Sequence, residues 1–289
     1  MKALITGASS GIGREMAIYL SELGYDLIVV SRSKDKLEAL KDMVKTKVSI
    51  YEYDLSNIDN CYKLYDKTKD DKIDIIINNA GYGLFGDYIE TNLEIEMNMI
   101  DLNVKALHVL TKLFINNKHT KYILNVASSA GLMMGGPLMS TYYATKSYAR
   151  SYSLGIYEEL RRKNSDKVIS VLCPGPVDTN FNNRANVEFN LQELSAKYVA
   201  RYAIDKMFKK KLIIIPGFSV RMGLFGSRFL PTKMALKIVY KIQERKKTQW
   251  AAFSFYSNTT NKVTNANRII RYRINLQMYF NHVVYGISK

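Results

Sequence analysis

Tyr142 and Lys146, in the run Tyr142-Tyr143-Ala144-Thr145-Lys146, have the types and spacing for acid-base chemistry. On a helix, residues four apart share a face, so a phenol and an ammonium would project into the same space. A phenol at its free pKa of about 10 exchanges protons poorly at neutral pH. A neighbouring cation favours the phenolate and moves the value toward working pH. A helical Tyr-xxx-Lys can therefore give a proton to a carbonyl oxygen. In a chain with 21 tyrosines the same spacing also suits a solvated helix face, so its meaning depends on the elements around it.

The first of those elements is a buried strand, Lys2–Thr6, running into Thr6-Gly7-Ala8-Ser9-Ser10-Gly11-Ile12-Gly13 and then an amphipathic helix over about 12–23. Glycines at a strand-to-helix turn let backbone N–H groups approach a pyrophosphate seated on the positive end of the helix. The spacing here is Gly-xxx-Gly-x-Gly, which departs from the GxGxxG form. A second buried strand, Asp26–Ser31, ends at Arg32, with Lys34 and Lys36 close behind. An acidic residue at that place would grip a ribose 2′-hydroxyl, whereas Arg accommodates a 2′-phosphate. The sequence thus favours NADP(H) over NAD(H).

A helix over 34–45, a strand over 48–53 closing on Asp54-Leu55, a helix over 58–68 and a strand over 73–77 closing on Asn78-Asn79-Ala80-Gly81 follow in turn. Asp54 is placed to meet an adenine. Alternating strands and helices predict a parallel, doubly wound α/β sheet of the Rossmann type. One long helix is expected over 93–116, with Asn103 inside it although a mid-helix Asn is intrinsically unfavourable. A fifth strand, Tyr122–Val126, leads into Ala127-Ser128-Ser129-Ala130-Gly131, and the Tyr142 helix runs on to about 162. A sixth strand, Val168–Leu172, ends in Cys173-Pro174-Gly175-Pro176, with Thr179 just beyond.

Composition sets the outer bounds. A chain of 289 residues, 47% hydrophobic and 24% charged, can bury one large core. Met1-Lys2 leads at once into an apolar run too short for a signal peptide. Cys61 and Cys173 lie far apart, and the three histidines have no ligand spacing, so reduced thiols, a cytoplasmic location and no metal are expected. The net charge of +16 raises nucleic acid or an anionic membrane as partners. Half the excess falls in residues 245–289, which contain eight Lys or Arg and no acid. The moderately basic remainder suits a phosphate-rich cofactor.

Four motifs, TGASSGIG, NNAG, NVASSAG with YYATK, and CPGPVDT, occur in the order and at the distances found in short-chain dehydrogenases/reductases, and over residues 1–217 the chain resembles that family. The stretch beyond, with IIIPG and LPTKMALKIVYKIQ, resembles a bacterial, NADP-preferring branch of it. The resemblance implies a nicotinamide-dependent oxidoreductase in which Tyr142 is the general acid-base. Lys146 would lower its pKa and bind the nicotinamide ribose, Ser128 rather than Ser129 would bind the substrate oxygen, and Asn103 would hold a water in the proton relay. It further implies that Gly7, Ser9, Ser10, Gly11 and Ile12 form the phosphate turn and that Arg32 faces the 2′-phosphate. Asp54 and Leu55 would meet the adenine, and Asn79, Ala80 and Gly81 the central ribose region. Pro174, Gly175, Val177 and Thr179 would hold the carboxamide, with Tyr142 and Lys146 also counted at the cofactor.

The expected organisation is a Rossmann domain over 1–217, a helical segment over 218–244 and a basic tail over 245–289, with a substrate loop over 178–195. Apolar residues at helical spacing predict a helical segment near 222–243, and residues 270–280 alternate with a strand period. The expected activity is hydride transfer between NADP(H) and a carbonyl or secondary alcohol, of ketone, aldehyde or 3-oxoacyl reductase type. Two other roles suit parts of the sequence: a non-catalytic dinucleotide-binding sensor or scaffold, and a nucleic-acid or membrane-surface binder acting through the tail. A homodimer or homotetramer built on the two long helices is expected, as the family commonly forms.

Overall fold

The computed structural model describes residues 1–179 and 193–244. Its centre is a seven-stranded, wholly parallel sheet. Six strands are β1 (Lys2–Thr6), β2 (Asp26–Ser31), β3 (Val48–Glu52), β4 (Ile75–Asn78), β5 (Tyr122–Val126) and β6 (Val168–Leu172), and the seventh is β9 (Ile213–Ile214). The spatial order is β3-β2-β1-β4-β5-β6-β9. The inner strands read as unbroken apolar runs because both faces of the sheet are covered. Leu4 and Ile28 pack on one side, while Ala3, Ile5 and Val29 pack on the other. The chain order reverses between β1 and β4, and ligands of such sheets bind outside the strand ends at that crevice.

One face carries α1 (Gly11–Glu22), α2 (Lys34–Met43) and α7 (Ala196–Phe208). The other carries α3 (Ile58–Thr68), α5 (Leu107–Ile115) and α6 (Ser140–Arg162), whose apolar sides meet around Leu64, Leu110, Phe114 and Ile156. The expected Rossmann-type α/β architecture is therefore present, with four of the six predicted strands at their predicted bounds.

Three local features add detail to the expectation. The long helix is α4 (Leu93–Ile100), a π-helical turn (Asp101–Ala106) and α5 in succession, with Asn103 inside the π turn. Such turns relax the i→i−4 ladder and occur frequently at functional sites. The helical segment expected near 222–243 is made of two helices, α8 (Phe218–Ser227) and α9 (residues 232–244). Pro231 separates them, because proline lacks the N–H a continuous helix would need and disfavours helical backbone before it. Finally, the stretch expected as a substrate loop is framed by a small parallel ladder, β7 (Val177–Asp178) with β8 (Leu194–Ser195). The loop interior, 180–192, and the tail strand expected at 270–280 lie outside the described residues.

No helix among the described residues is long and apolar enough to cross a membrane. None of their His, Cys, Asp and Glu side chains gather into a metal-binding group. Cys61 and Cys173 are buried free thiols, and burial pushes both up to about 12.

Candidate active site

The Tyr142 end of α6 is seated by close backbone contact. A Cβ on Gly131 would lie 2.4 Å from the Lys146 carbonyl oxygen, so only glycine lets the 3₁₀ turn Ser129–Leu132 approach the helix. Gly136 similarly lies under the Tyr143 ring. The result is a buried cluster in which Tyr142 is 8% and Lys146 5% exposed.

Within it, the Ser128 hydroxyl is hydrogen-bonded to Tyr142 and accepts from the Ala130 N–H at 3.2 Å. The Lys146 Nζ donates to the Val126 carbonyl at 3.0 Å and stands 5.9 Å from the Tyr142 ring centroid. Burial pushes the Tyr142 phenol up to about 12, with the Ser128 hydrogen bond pulling the other way. Burial also pulls the Lys146 ammonium down to about 8, against the pull of Cys173. In the polypeptide alone, desolvation thus outweighs the lowering of Tyr142 that sequence reasoning expected from Lys146.

Asn103 is 1% exposed and its side-chain amide is fully engaged. The Tyr82 N–H donates to its Oδ1 at 3.1 Å, while its Nδ2 donates to the Tyr82 carbonyl at 2.9 Å and to Thr145 Oγ1 at 3.1 Å. The amide therefore ties the strand-end after β4 to the Tyr142 helix. Gly81 fills the space between, where a Cβ would come 2.7 Å from Asn103 Oδ1 and 3.3 Å from Lys146 Nζ.

The turn after β1 has the backbone a dinucleotide pyrophosphate requires. Gly7 and Gly11 have φ of +67° and +56°, a region side chains other than glycine rarely adopt. A Cβ on Gly13 would meet Asn79 Nδ2 at 2.3 Å. Ser10 caps α1 without a side-chain hydrogen bond to the helix, and no acidic residue occupies the first turn, leaving the helix start open to an anion. Ser9 and Ile12 flank it, half-buried, and the Thr179 methyl closes against Gly11. These features fit the cofactor.

The other predicted residues follow the ends of β2, β3, β4 and β6. Asn79 turns its amide beneath the phosphate turn, donating to the Thr6 and Gly7 carbonyls. Leu55 and Val177 are buried in core clusters, so any contact with a ligand would come from their backbone. Arg32 and Asp54 come together at the ends of β2 and β3, 3.5 Å apart. Burial raises Asp54, but hydrogen bonds from Ser56 and the Arg32 charge outweigh it and hold the carboxyl below its ordinary range. Ala80 is tied by its N–H to Thr6 Oγ1 at 3.0 Å. The Pro174 carbonyl accepts from the Ser129 N–H at 2.7 Å, and Gly175 lies under Val220.

Sequence reasoning missed Thr6, Thr145 and Gln243. Thr6 Oγ1 accepts two N–H groups of the Asn79-Ala80 strand-end, at 3.0 Å each. Gln243 is buried and donates to the Tyr143 hydroxyl at 2.8 Å. That contact seats α9, through its own Val239, on an apolar cluster with Met99, Met133 and Met139. A threonine before the first glycine was a visible signal for Thr6, but nothing local in the sequence marks Gln243.

The fold and this site define a nicotinamide-binding α/β oxidoreductase, and comparison with known proteins gives the family. A family model described as short chain dehydrogenase matches residues 1–189. An uncharacterised oxidoreductase of Staphylococcus saprophyticus is 32% identical over 204 residues, 68% of this chain and 81% of that protein. A very-long-chain 3-oxoacyl-CoA reductase of Mycosarcoma maydis is 30% identical over 176 residues, 57% of this chain and 50% of that one. Among solved structures, a short-chain dehydrogenase from Sphingobium yanoikuyae in complex with NADPH superposes with a TM-score of 0.70 at 28% identity, covering 78% of this chain and 93% of that one. The chain belongs to the short-chain dehydrogenase family and is an NAD(P)-dependent oxidoreductase.

Proposed function

We propose that the protein is an NADP(H)-dependent carbonyl reductase with Tyr142 as proton donor. The observation that carries this reading is the buried phenol of Tyr142, hydrogen-bonded to Ser128 and pushed up to about 12. A phenol so held is protonated at neutral pH, as a donor to a developing alkoxide must be; alcohol oxidation would need the phenolate.

Gly7, Ser9, Ser10, Gly11 and Ile12 would hold the pyrophosphate, and Arg32 the 2′-phosphate. When bound, the nicotinamide supplies or accepts the hydride. Ser128 orients the substrate oxygen, and Tyr142 gives it a proton. Lys146, buried beside Tyr142, offers the positive charge that a phenolate left behind would require. Asn103 is a positioning residue that fixes the strand-end relative to α6. The NADPH complex of the Sphingobium relative supports the cofactor, and the 3-oxoacyl-CoA reductase relative supports a carbonyl substrate.

Substrate choice is to be found with a panel of ketones, aldehydes and 3-oxoacyl thioesters, followed by NADPH consumption. Tyr142→Phe removes the proton and keeps the shape. Its kcat should fall at least 100-fold, the scale of a lost general acid, with NADPH binding retained. Equal turnover by the variant would remove Tyr142 from the mechanism. Reduction should hold its rate below pH 8 and decline above it as Lys146 loses its proton.

A further inference from the structure

The positive charge of this protein is concentrated in its C-terminal part. Residues 209–289 hold sixteen of the 42 Lys and Arg and one of the 26 Asp and Glu, so the first 208 residues are within one charge of neutral. Within the described part of that region, α8 and α9 combine their cations with apolar side chains turned to solvent. On α8, Phe218, Met222 and Phe225 follow one another at helical spacing, and Phe229 continues the row in the turn after the helix; each is more than half exposed, with Phe229 at 74%. No residue of α8 is buried. Arg221 lies over the Phe218 ring at 5.8 Å, and Phe225 packs edge-on to Phe229 at 5.3 Å.

On α9 the sides divide cleanly. Ala235, Val239 and Gln243 are buried toward the site, whereas Met234, Ile238 and Ile242 form an exposed row beside them. Lys233, Lys237 and Lys241 form a third row, also exposed. An apolar row bordered by cations, on helices that cannot span a bilayer, is the pattern of a helix lying in a membrane interface, where Lys and Arg stems reach toward headgroups.

Charge identifies the occupant. A second copy applied face to face would bring like rows together, since Glu244 is the sole acid in 209–244. The chain's own residues 245–289, with eight cations and no acid, are no better complement. An anionic surface is. We propose that α8 and α9 form a docking surface for an anionic lipid bilayer, with the Phe218–Phe229 and Met234–Ile242 rows entering the headgroup region and the lysine row facing lipid phosphates.

The test is co-sedimentation of the full-length protein with sucrose-loaded vesicles of phosphatidylcholine alone or mixed equally with phosphatidylglycerol. The protein should bind the mixed vesicles, bind phosphatidylcholine at least tenfold less, and be released by salt. F225S/F229S and K233E/K237E/K241E should each lower the bound fraction at least tenfold. Phe225→Trp keeps the apolar character, and combining it with Trp250→Phe removes the chain's one native tryptophan. The emission of that double variant should shift to the blue on adding mixed vesicles. Absence of binding, undiminished binding by both multiple variants, which would place it elsewhere on the chain, or an unshifted emission overturns the proposal. So does a fall in oligomeric mass of F225S/F229S without vesicles, which would assign the surface to a second copy.

Discussion

Lys146 is a cation that the fold holds at a cost. Its buried ammonium is pulled from about 10.5 down to about 8, so the folded chain binds fewer protons than the unfolded one between those values. Stability attributable to this residue must therefore rise with pH across the window from 8 to 10.5. At about 1.4 kcal/mol per pKa unit, the change is about 3 kcal/mol. Lys146→Met lacks the term, so wild type should gain about 3 kcal/mol relative to it between pH 7 and pH 11, measured by denaturant unfolding. A flat difference would mean that Lys146 is solvated in the native state. Arg32 is the second residue to test. Paired to Asp54 at 3.5 Å and half exposed, it is free to turn to a phosphate. Arg32→Asp should move preference toward NADH by at least tenfold in the ratio of kcat/KM values, with Tm little changed.

At the scale of elements, the site depends on how closely α6 approaches the turn before it. Gly131→Ala would place a methyl 2.4 Å from the Lys146 carbonyl oxygen, and neither backbone can yield without moving Tyr142. Overpacking of this kind costs about 1–3 kcal/mol, so Tm should fall together with activity; a stable, inactive variant would instead indicate a local shift of Tyr142.

Much of this was legible in the sequence. The strand-end motifs announce themselves because glycine, serine and asparagine are needed where backbones meet at the switch point, and the buried strands carry unbroken apolar runs. What was not legible depends on distant partners. The π turn at Asn103 accompanies hydrogen bonds to Tyr82 and Thr145 that no local pattern encodes. The two-residue strand β9 is a strand only because β6 lies beside it.

For the molecule as a whole, the next question is assembly. His108 of α5 stacks on Tyr152 of α6 at 4.4 Å, and its Nδ1 meets the Tyr148 hydroxyl at 2.7 Å, giving the outer side of these helices an ordered, partly exposed aromatic patch. We expect subunits to pair there. Tyr152→Glu should then lower the mass seen by light scattering while leaving the far-UV spectrum unchanged, whereas an unchanged mass would place the contact elsewhere.

The hydrogen bond from Gln243 to Tyr143 joins residues 100 positions apart, which gives the molecule a timetable. During synthesis the sheet is complete once β9 has emerged and paired, but α9, which packs on the cluster of Met99 and Met139, ends about thirty residues later. At about 5–20 residues per second, the growing chain spends a few seconds with those methionines uncovered by α9. The same order applies to proteolysis from the C-terminus: loss of residues 245–289 leaves Gln243 in place, whereas a few residues more would take away its hydrogen bond to Tyr143.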